Sequence, residues 1–224
     1  MKYESNIYKN ESEWLKHRGI GGSSASIILG LNQWSNEMEL YKELKLKRVG
    51  SNTNTQSTLY GKKIEPLLRV LFILNFKGKY ELYPHNPYQI LNRIDKPYLT
   101  LSPDSLGKDI TTGKEIAVEF KTHDVYSQKD LEEWTGQIPQ NYHCQCLHYF
   151  IVKDDLELVI LMGKLRFFKK NNDNEWTLDH EEIRYYFIYR DEVKDQVEYL
   201  ENKETKWYEE HIIKGKMPSV KITL

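Results

Sequence analysis

The sequence has little cysteine and no long apolar run. Its two cysteines, Cys144 and Cys146, are separated by one residue. Side chains at this spacing point to opposite sides of a helix or strand, so we expect no disulfide between them, and two thiols are too few for a four-cysteine metal cluster. No apolar stretch approaches the roughly 20 residues of a membrane span, and the N-terminal segment lacks the apolar core of a secretory signal. These absences favour a cytoplasmic protein that is neither secreted nor membrane-embedded.

An excess of charge of one sign is also absent. The chain carries 32 lysines and arginines against 33 aspartates and glutamates, a net charge of −1. This balance excludes a uniformly basic nucleic-acid-binding surface but allows a local basic groove. A composition of 39% hydrophobic, 12% aromatic and 29% charged residues excludes a disordered, collagen-like or coiled-coil chain. A length of 224 residues favours one domain over residues 1–224.

Hydrophobic periodicity and turn residues predict helices near both ends and strands in the middle. The predicted helices span residues 11–18, 23–29, 36–47, 59–76, 140–152 and 191–215. Proline and glycine divide the predicted strands, which span residues 80–83, 88–94, 99–102, 115–120, 156–162 and 183–189. The polar residues 50–58 predict a mobile loop. This order indicates a single α/β domain with a central mixed sheet flanked by helices.

Acidic residues and a lysine converge in the middle of the sequence. Glu119 and Lys121 are two apart on a predicted strand, so they share one side while Phe120 faces the core. If strands 99–102 and 115–120 form a hairpin, Asp104 reaches the same point. Converging carboxylates are tolerated mainly around a cation, and their hard oxygens suit Mg²⁺ or Mn²⁺. The pattern favours metal-assisted phosphodiester hydrolysis, and a solvent-exposed strand with a chance Glu-x-Lys is the alternative.

Six short motifs occur in an order that resembles the YqaJ-type viral recombinases, the family that includes phage lambda exonuclease. They are Trp14-Leu-Lys-His-Arg18, Ile20-Gly-Gly-Ser23, Gly61-Lys-Lys-Ile-Glu65, Ser102-Pro-Asp104, Glu119-Phe-Lys121 and Tyr142-His-Cys-Gln145. That family is a branch of the PD-(D/E)xK nuclease superfamily. The resemblance therefore implies one restriction-endonuclease-like domain over the chain.

The resemblance assigns roles to the residues that match the core motif. It implies that Asp104 and Glu119 are metal ligands, with the backbone carbonyl of Phe120 as a third, and that Glu65 adds an acid to the metal site. It also implies that Lys121 is the catalytic lysine. Considered alone, a glutamate near a helix start, such as Glu65, is usually an acid that interacts with the helix dipole.

Three further residues receive roles from the same resemblance. Gln145 would be the supporting glutamine of the core motif, and Arg18 and Ser23 would line a pocket for a 5′-terminal phosphate. The residues themselves agree with a phosphate site, because a helix start entered through glycine binds phosphate well beside an arginine. Alone, they would be an ordinary helix glutamine, a surface arginine and an N-cap serine. The sequence departs from the family pattern at Ser24, which is often acidic, and at Leu147, where a second glutamine is expected.

As a function, the resemblance implies a Mg²⁺-dependent (or Mn²⁺-dependent) exonuclease of a bacterial cell, encoded by a phage or prophage. It would digest one strand of linear double-stranded DNA from the 5′ end and leave 3′ single-stranded overhangs for recombination. The implied partners are double-stranded DNA ends, a single-strand annealing protein (Redβ/RecT-like) and further copies of the chain in a homo-oligomer, by analogy a trimeric ring. The alternatives are an endonuclease of the same superfamily and a non-catalytic DNA-binding module.

Two other groups of residues have both a functional and a simpler structural explanation. A predicted hairpin interleaves basic and aromatic side chains, which suits a DNA contact or a solvated hairpin with two core phenylalanines, and the second is favoured. Its residues are Lys164, Arg166, Phe167, Phe168, Lys169 and Lys170. Three histidines near the motifs match no standard zinc spacing, and a zinc site is not expected. They are His123, His143 and His148.

Overall fold

Two β-sheets with helices packed on their faces make up the computed structural model, which describes residues 2–46 and 55–219. Within these residues the strands are β1 (Tyr3–Ile7), β2 (Tyr80–Leu82), β3 (Gln89–Arg93), β4 (Thr100–Leu101), β5 (Ser105–Asp109), β6 (Glu115–Val125), β7 (Leu156–Lys170) and β8 (Trp176–Tyr189). The helices are α1 (Glu11–His17), α2 (Gly22–Ile28), α3 (Glu37–Leu46), α4 (Gln56–Asn75), α5 (Gln128–Glu132), α6 (Gln140–Val152) and α7 (Lys194–Trp207). The prediction of a mixed sheet flanked by helices is confirmed.

The larger sheet has the order β2-β5-β6-β7-β8, and β6 lies at its centre. The pairing of β6 with β7 is parallel, whereas the other three pairings are antiparallel. Strands β1, β3 and β4 form a separate antiparallel sheet. The β6–α6–β7 crossover explains the parallel pair, because parallel neighbours need a long connection that covers the sheet.

Strand β6 separates two hydrophobic cores. Ile116, Val118 and Phe120 belong to the core that α4 covers, together with Phe72. Ala117, on the opposite side, belongs to the core that contains α6. Because alternate residues of a strand face opposite sides, Glu119 and Lys121 point toward α6 and not toward the core that α4 covers. The predicted inward orientation of Phe120 is confirmed.

Helix α4 begins earlier than the sequence predicted. Thr55 is its N-cap, and the Thr55 hydroxyl accepts a hydrogen bond from the backbone N–H of Thr58. The prediction of a loop through residue 58 was therefore wrong for residues 56–58, which form the first helical turn, and residues 50–54 lie outside the described part. The helix continues through Pro66, which lacks a backbone donor, and packs Leu68 and Phe72 against the sheet.

The predicted pairing of strands 99–102 and 115–120 was wrong. Strand β4 pairs with β3, and it is β5 that pairs with β6, with Ser105 opposite Val118. Pro103 lies between β4 and β5, and because it has no N–H to donate, it separates the two strands. The loop that carries Asp104 therefore joins the two sheets.

Other differences between prediction and structure concern an element that was not predicted and the ends of elements that were. Strand β1 was not predicted and pairs with β3. Strands β7 and β8 extend past the predicted segments, so the hairpin continues the sheet. The predicted last helix is divided into a 3-10 turn (Arg190–Glu192), α7 and a π-helical turn (Tyr208–Ile213). Both cysteines are free and buried, as expected. None of the helices in the described residues has the length and apolar character that a membrane crossing requires.

Candidate active site

The centre of the site is the pair of Glu119 and Lys121 on β6. The Glu119 carboxylate is almost completely buried, with 1% of its side chain exposed, and Lys121 Nζ forms an ion pair with Glu119 Oε1. The two side chains share one side of the strand, as the sequence predicted. Burial by itself would lower the pKa of Lys121, but the charges of Glu119 and Asp104 raise it, so the lysine is a cation.

Asp104 reaches this centre through hydrogen bonds that the sequence did not predict. Its Oδ2 accepts a hydrogen bond from the backbone N–H of Phe120, at 2.9 Å. Its own backbone N–H donates to the hydroxyl of Tyr149 at 3.4 Å, and that hydroxyl donates to Glu119 Oε2. The loop before β5 therefore places the second carboxylate beside the first.

Helix α6 supplies two donors to the buried carboxylate. Gln145 Nε2 donates to Glu119 Oε1 at 2.5 Å, and Tyr149, one turn further along the helix, donates to Oε2. A buried carboxylate is costly unless its oxygens are hydrogen-bonded. The structure thus brings together the predicted Glu119, Lys121 and Gln145, and it adds Tyr149, which the sequence analysis missed. The helical spacing of residues 142, 145 and 149 is the signal that could have identified it.

The carboxylates of the site oppose one another's ionisation. Burial, followed by the charge of Glu119, raises the pKa of Asp104 well above its usual range. Burial and the charge of Glu119 also raise the pKa of Glu65, which lies on α4 and lines the same cleft. Three acids within electrostatic reach of each other form an environment that a cation stabilises.

The residues present suit a small hard cation that also binds the substrate. Among the described residues, no group of three or more histidine, cysteine, aspartate or glutamate side chains is arranged to hold a metal ion by itself. Mg²⁺, however, is usually bound by one or two carboxylates, water and substrate phosphates. Asp104 and Glu119 provide such a pair. Because burial and the charge of Glu119 raise the pKa of Asp104, a cation bound nearby would stabilise its ionised form. The donor set therefore fits Mg²⁺ or Mn²⁺.

A small pocket of about 50 Å³ lies next to the buried carboxylates. Arg18, Ser23 and Ser102 line it, together with Gln145. In the described part of the chain, the Arg18 guanidinium has no hydrogen bond or ion pair, and it lies 4.5 Å from the ring centroid of Trp14. Burial lowers its pKa and the charge of Glu43 opposes this effect, but an arginine remains protonated.

The pocket therefore presents an unpaired cation beside the N-terminus of α2. Gly21 caps that helix without a side chain, and Ser23 is in its first turn. The indole Nε1 of Trp14 donates to Ser102 Oγ at 3.0 Å, so the ring on which Arg18 rests is itself held in place. A cation and a helix N-terminus in one pocket suit a phosphate group.

A larger cleft of about 780 Å³ opens over the same centre. Glu65, Lys121 and Gln145 line it, and Ser23 lines both this cleft and the small pocket. The sequence analysis did not single out several other residues that line it, among them an exposed tryptophan in the polar loop before α3. They are Ser26, Asn32, Trp34, Thr58 and Asn141. All eight predicted site residues line the cleft or the pocket or bond to residues that do, and their roles as ligands or catalytic groups stay predictions.

Most basic side chains of the β7–β8 hairpin form ion pairs with acidic side chains. Lys164 pairs with Glu181 at 2.7 Å, Arg166 with Asp124 and Lys169 with Asp179. Phe167 packs against the main core, and Phe168 stacks on Tyr126 with 4.9 Å between centroids. The paired charges favour the solvated-hairpin interpretation over a basic DNA-binding strand.

The three histidines near the motifs lie apart. His123 contacts the ring of Trp134, His143 Nε2 lies 2.7 Å from Gln196 Oε1, and His148 lies against Glu204. Among the described residues, no three histidine, cysteine, aspartate or glutamate side chains are grouped so that they could hold a metal ion.

Comparisons with known proteins agree with this fold. A family model, the YqaJ-like viral recombinase domain, matches residues 13–155. The uncharacterised protein YqaJ of Bacillus subtilis (strain 168) is 28% identical over 151 residues, which are 64% of this chain and 43% of that protein. The chain thus matches less than half the length of this curated relative.

Solved structures of two exonucleases share the fold. An alkaline exonuclease (LHK-Exo) from Laribacter hongkongensis superposes with a TM-score of 0.59 at 15% identity, over 89% of this chain and 91% of that chain. A phage-related exonuclease from Haemophilus somnus 129PT superposes with a TM-score of 0.50 at 14% identity, over 89% of this chain and 97% of that chain. At these identities the likeness concerns the fold, which is the fold that the sequence predicted.

Proposed function

Because the chain belongs to the YqaJ-like viral recombinase family, we propose that it is a divalent-metal-dependent deoxyribonuclease. It hydrolyses one strand of linear double-stranded DNA from the 5′ end and leaves 3′ single-stranded overhangs. The observation that carries the proposal is the buried Glu119 carboxylate beside Asp104, hydrogen-bonded to Lys121 and Gln145, which line one open cleft.

Each residue of this centre has a physical task. Asp104 and Glu119 would hold Mg²⁺ or Mn²⁺, with the Phe120 carbonyl and Glu65 as further oxygen donors. Such a metal would polarise a phosphoryl oxygen and lower the pKa of its bound water, so that hydroxide is available near neutral pH. Lys121, kept protonated by its acidic neighbours, would neutralise charge that develops on the phosphate during hydrolysis. Gln145 and Tyr149 fix the orientation of the Glu119 carboxylate.

The small pocket would select the strand end. Arg18, which has no hydrogen bond or ion pair among the described residues, and the first turn of α2 with Ser23 would bind a 5′-terminal phosphate. Gln145 lines both this pocket and the cleft, so a phosphate in the pocket lies next to the hydrolytic centre. This arrangement supports an exonuclease that begins at a phosphorylated 5′ end.

Partners follow from the same proposal. A nearly neutral chain that acts on DNA needs its basic residues concentrated where the duplex passes, and a homo-oligomer in the form of a trimeric ring would do this. The 3′ single strand would be passed to a single-strand annealing protein. The place of action would be the cytoplasm of a bacterial cell that carries the phage or prophage.

The test uses two DNA substrates, one 5′-phosphorylated linear duplex and one closed circular duplex, with Mg²⁺ or with chelator. The variants are Lys121→Ala and, as a matched control, Lys108→Ala, whose lysine pairs with Glu81 away from the cleft. We expect Mg²⁺-dependent loss of the linear DNA alone, abolished in Lys121→Ala and retained in Lys108→Ala. Cleavage of the circle would indicate an endonuclease. DNA binding without cleavage would indicate a non-catalytic module.

Polarity is read from end-labelled linear duplexes. A 5′ label should be released as a mononucleotide early, whereas a 3′ label should remain on long fragments until late in the digestion. Early release of the 3′ label would contradict the proposed direction.

A further inference from the structure

Trp34 is an exposed aromatic side chain at the cleft. It is 67% exposed, and it lines the cleft together with Lys121 and Gln145. Tryptophan is highly buried on average, because its large apolar surface is costly to leave in water. An indole left in solvent at the wall of a substrate cleft therefore offers a surface that a bound ligand can cover.

The backbone under Trp34 is held in a fixed turn. Asn32 Oδ1 accepts hydrogen bonds from the N–H groups of Trp34 and Ser35, both at 2.9 Å. Asn32 Nδ2 donates to Ser26 Oγ on α2 at 3.0 Å, and Asn36 accepts from the first N–H groups of α3. These bonds tie the turn to the helices on both sides. Little conformational freedom of the backbone would be lost when a ligand covers the ring.

The other large aromatic side chains of the described residues that line the cleft, Phe120 and Tyr142, are already engaged. Phe120 packs against Phe72 in the core that α4 covers. The ring of Tyr142 lies 5.3 Å from Lys121 Nζ and 5.7 Å from the Trp134 ring. The residues that line the cleft near Trp34 are small and polar, for example Ser26 and Asn32. Among the described residues that line the cleft, Trp34 therefore provides the free aromatic face.

We propose that Trp34 stacks on a nucleobase of the DNA strand that lies in the cleft, next to the phosphodiester bond that is cut. The inference rests on the proposed nuclease function and adds a means of holding the strand. Every base has a π-face, so stacking holds a strand of any sequence. This suits an enzyme that must advance along DNA without regard to sequence.

Binding is measured with a fluorescein-labelled, 5′-phosphorylated single-stranded oligonucleotide in chelator, so that no hydrolysis occurs. The variants are Trp34→Ala and Trp34→Phe, and Trp176→Ala is the matched control, since Trp176 is 48% exposed on the β7–β8 hairpin. We expect Trp34→Ala to weaken binding about 5- to 100-fold, the range of a base–aromatic stack, and Trp34→Phe to lose less. Trp176→Ala should bind within about twofold of the wild type.

A second measurement separates stacking from a structural role. Abasic sites are placed one at a time along the oligonucleotide. At one position near the 5′ end, the abasic site should weaken wild-type binding, and the difference between wild type and Trp34→Ala should disappear there. A loss that is equal on every oligonucleotide would overturn the stacking role.

The outcomes also separate this inference from the proposed function. A wild type that digests linear DNA while Trp34→Ala binds as tightly as the wild type overturns the stacking role alone. A wild type that neither binds nor digests DNA overturns both.

Discussion

Gln145 on α6 donates a hydrogen bond from Nε2 to Oε1 of Glu119 on β6, across 2.5 Å. The bond ties the helix that covers the central sheet to the carboxylate at the centre of the cleft. Lys121 contacts the same oxygen, so that one atom of Glu119 accepts from two side chains. The orientation of this carboxylate therefore depends on the position of α6 as well as on β6.

Gln145→Leu keeps most of the side-chain volume and removes the donor. A hydrogen bond to a charged group contributes about 1.5–3 kcal/mol, so we expect the hydrolysis rate to fall about 10- to 100-fold. DNA binding in chelator should change much less. Gln196→Leu is the control, because its amide bonds to His143 on the surface. Equal rates for Gln145→Leu and the wild type would show that Glu119 is positioned without Gln145.

Arg18→Ala tests the small pocket with two linear duplexes that differ only in the 5′ end, phosphate or hydroxyl. The wild type should prefer the phosphate. The variant should lose most of this preference, about 10- to 100-fold, because a charge-assisted contact disappears only from the phosphorylated substrate. Initial digestion rates measure the effect. A variant that slows both substrates equally would place Arg18 in a structural role, for which its stacking on Trp14 provides the means.

The sequence predicted residues that share one strand or one helix better than residues that meet across elements. Glu119 and Lys121 follow from the strand period, and Leu68 and Phe72 from the helical period of α4. The route by which Asp104 joins them did not follow. It depends on a hydrogen bond to the backbone of Phe120 and on the hydroxyl of Tyr149, contacts that no local pattern encodes.

Turn chemistry limited the prediction of pairing. Pro103 ends β4 after two residues, so the next segment takes its place beside β6.

Trp34 was missed for a different reason: a lone aromatic residue in a polar loop has no periodicity, and its significance comes from the cleft that the fold builds around it.

His148 and Glu204 predict a pH-dependent stability. Both side chains are fully buried, with His148 Nδ1 2.8 Å from Glu204 Oε1 and Nε2 2.9 Å from the carbonyl of Thr100. The Thr100 carbonyl accepts from Nε2 and the Glu204 carboxylate accepts from Nδ1, so the imidazole carries both protons. Burial, the largest single effect, would lower the pKa of His148, but the charge of Glu204 together with the hydrogen bonds to Glu204 and to the Thr100 carbonyl raises the pKa above its usual value.

The pKa of His148 is higher in the folded protein than in the unfolded protein. Its contribution to the free energy of unfolding is therefore fully present below the unfolded-state pKa of about 6.5, and it is lost as the pH rises through the folded-state pKa. Glu204→Gln removes the charge that raises the pKa. We expect the variant to be less stable by about 3–5 kcal/mol at acidic pH, with a difference from the wild type that narrows as pH rises. Urea unfolding across this range measures it, with His143→Gln as a surface control. A difference that is constant with pH would contradict the imidazolium.

Gly22→Ala tests how closely α2 approaches α6. A Cβ at Gly22 would lie 2.8 Å from Gln145 Cγ and 3.3 Å from the Gln145 carbonyl oxygen, so the glutamine side chain must move. We expect a loss of about 1–3 kcal/mol of unfolding free energy, as in overpacked cores, together with slower hydrolysis as the bond to Glu119 is disturbed. The double variant Gly22→Ala/Gln145→Ala decides the cause. Truncating Gln145 removes the closest atom, so the double variant should recover stability relative to Gly22→Ala but not activity. If the two destabilisations simply add, the added methyl acts on the backbone of α6, and the contact with the glutamine side chain is not what limits this position.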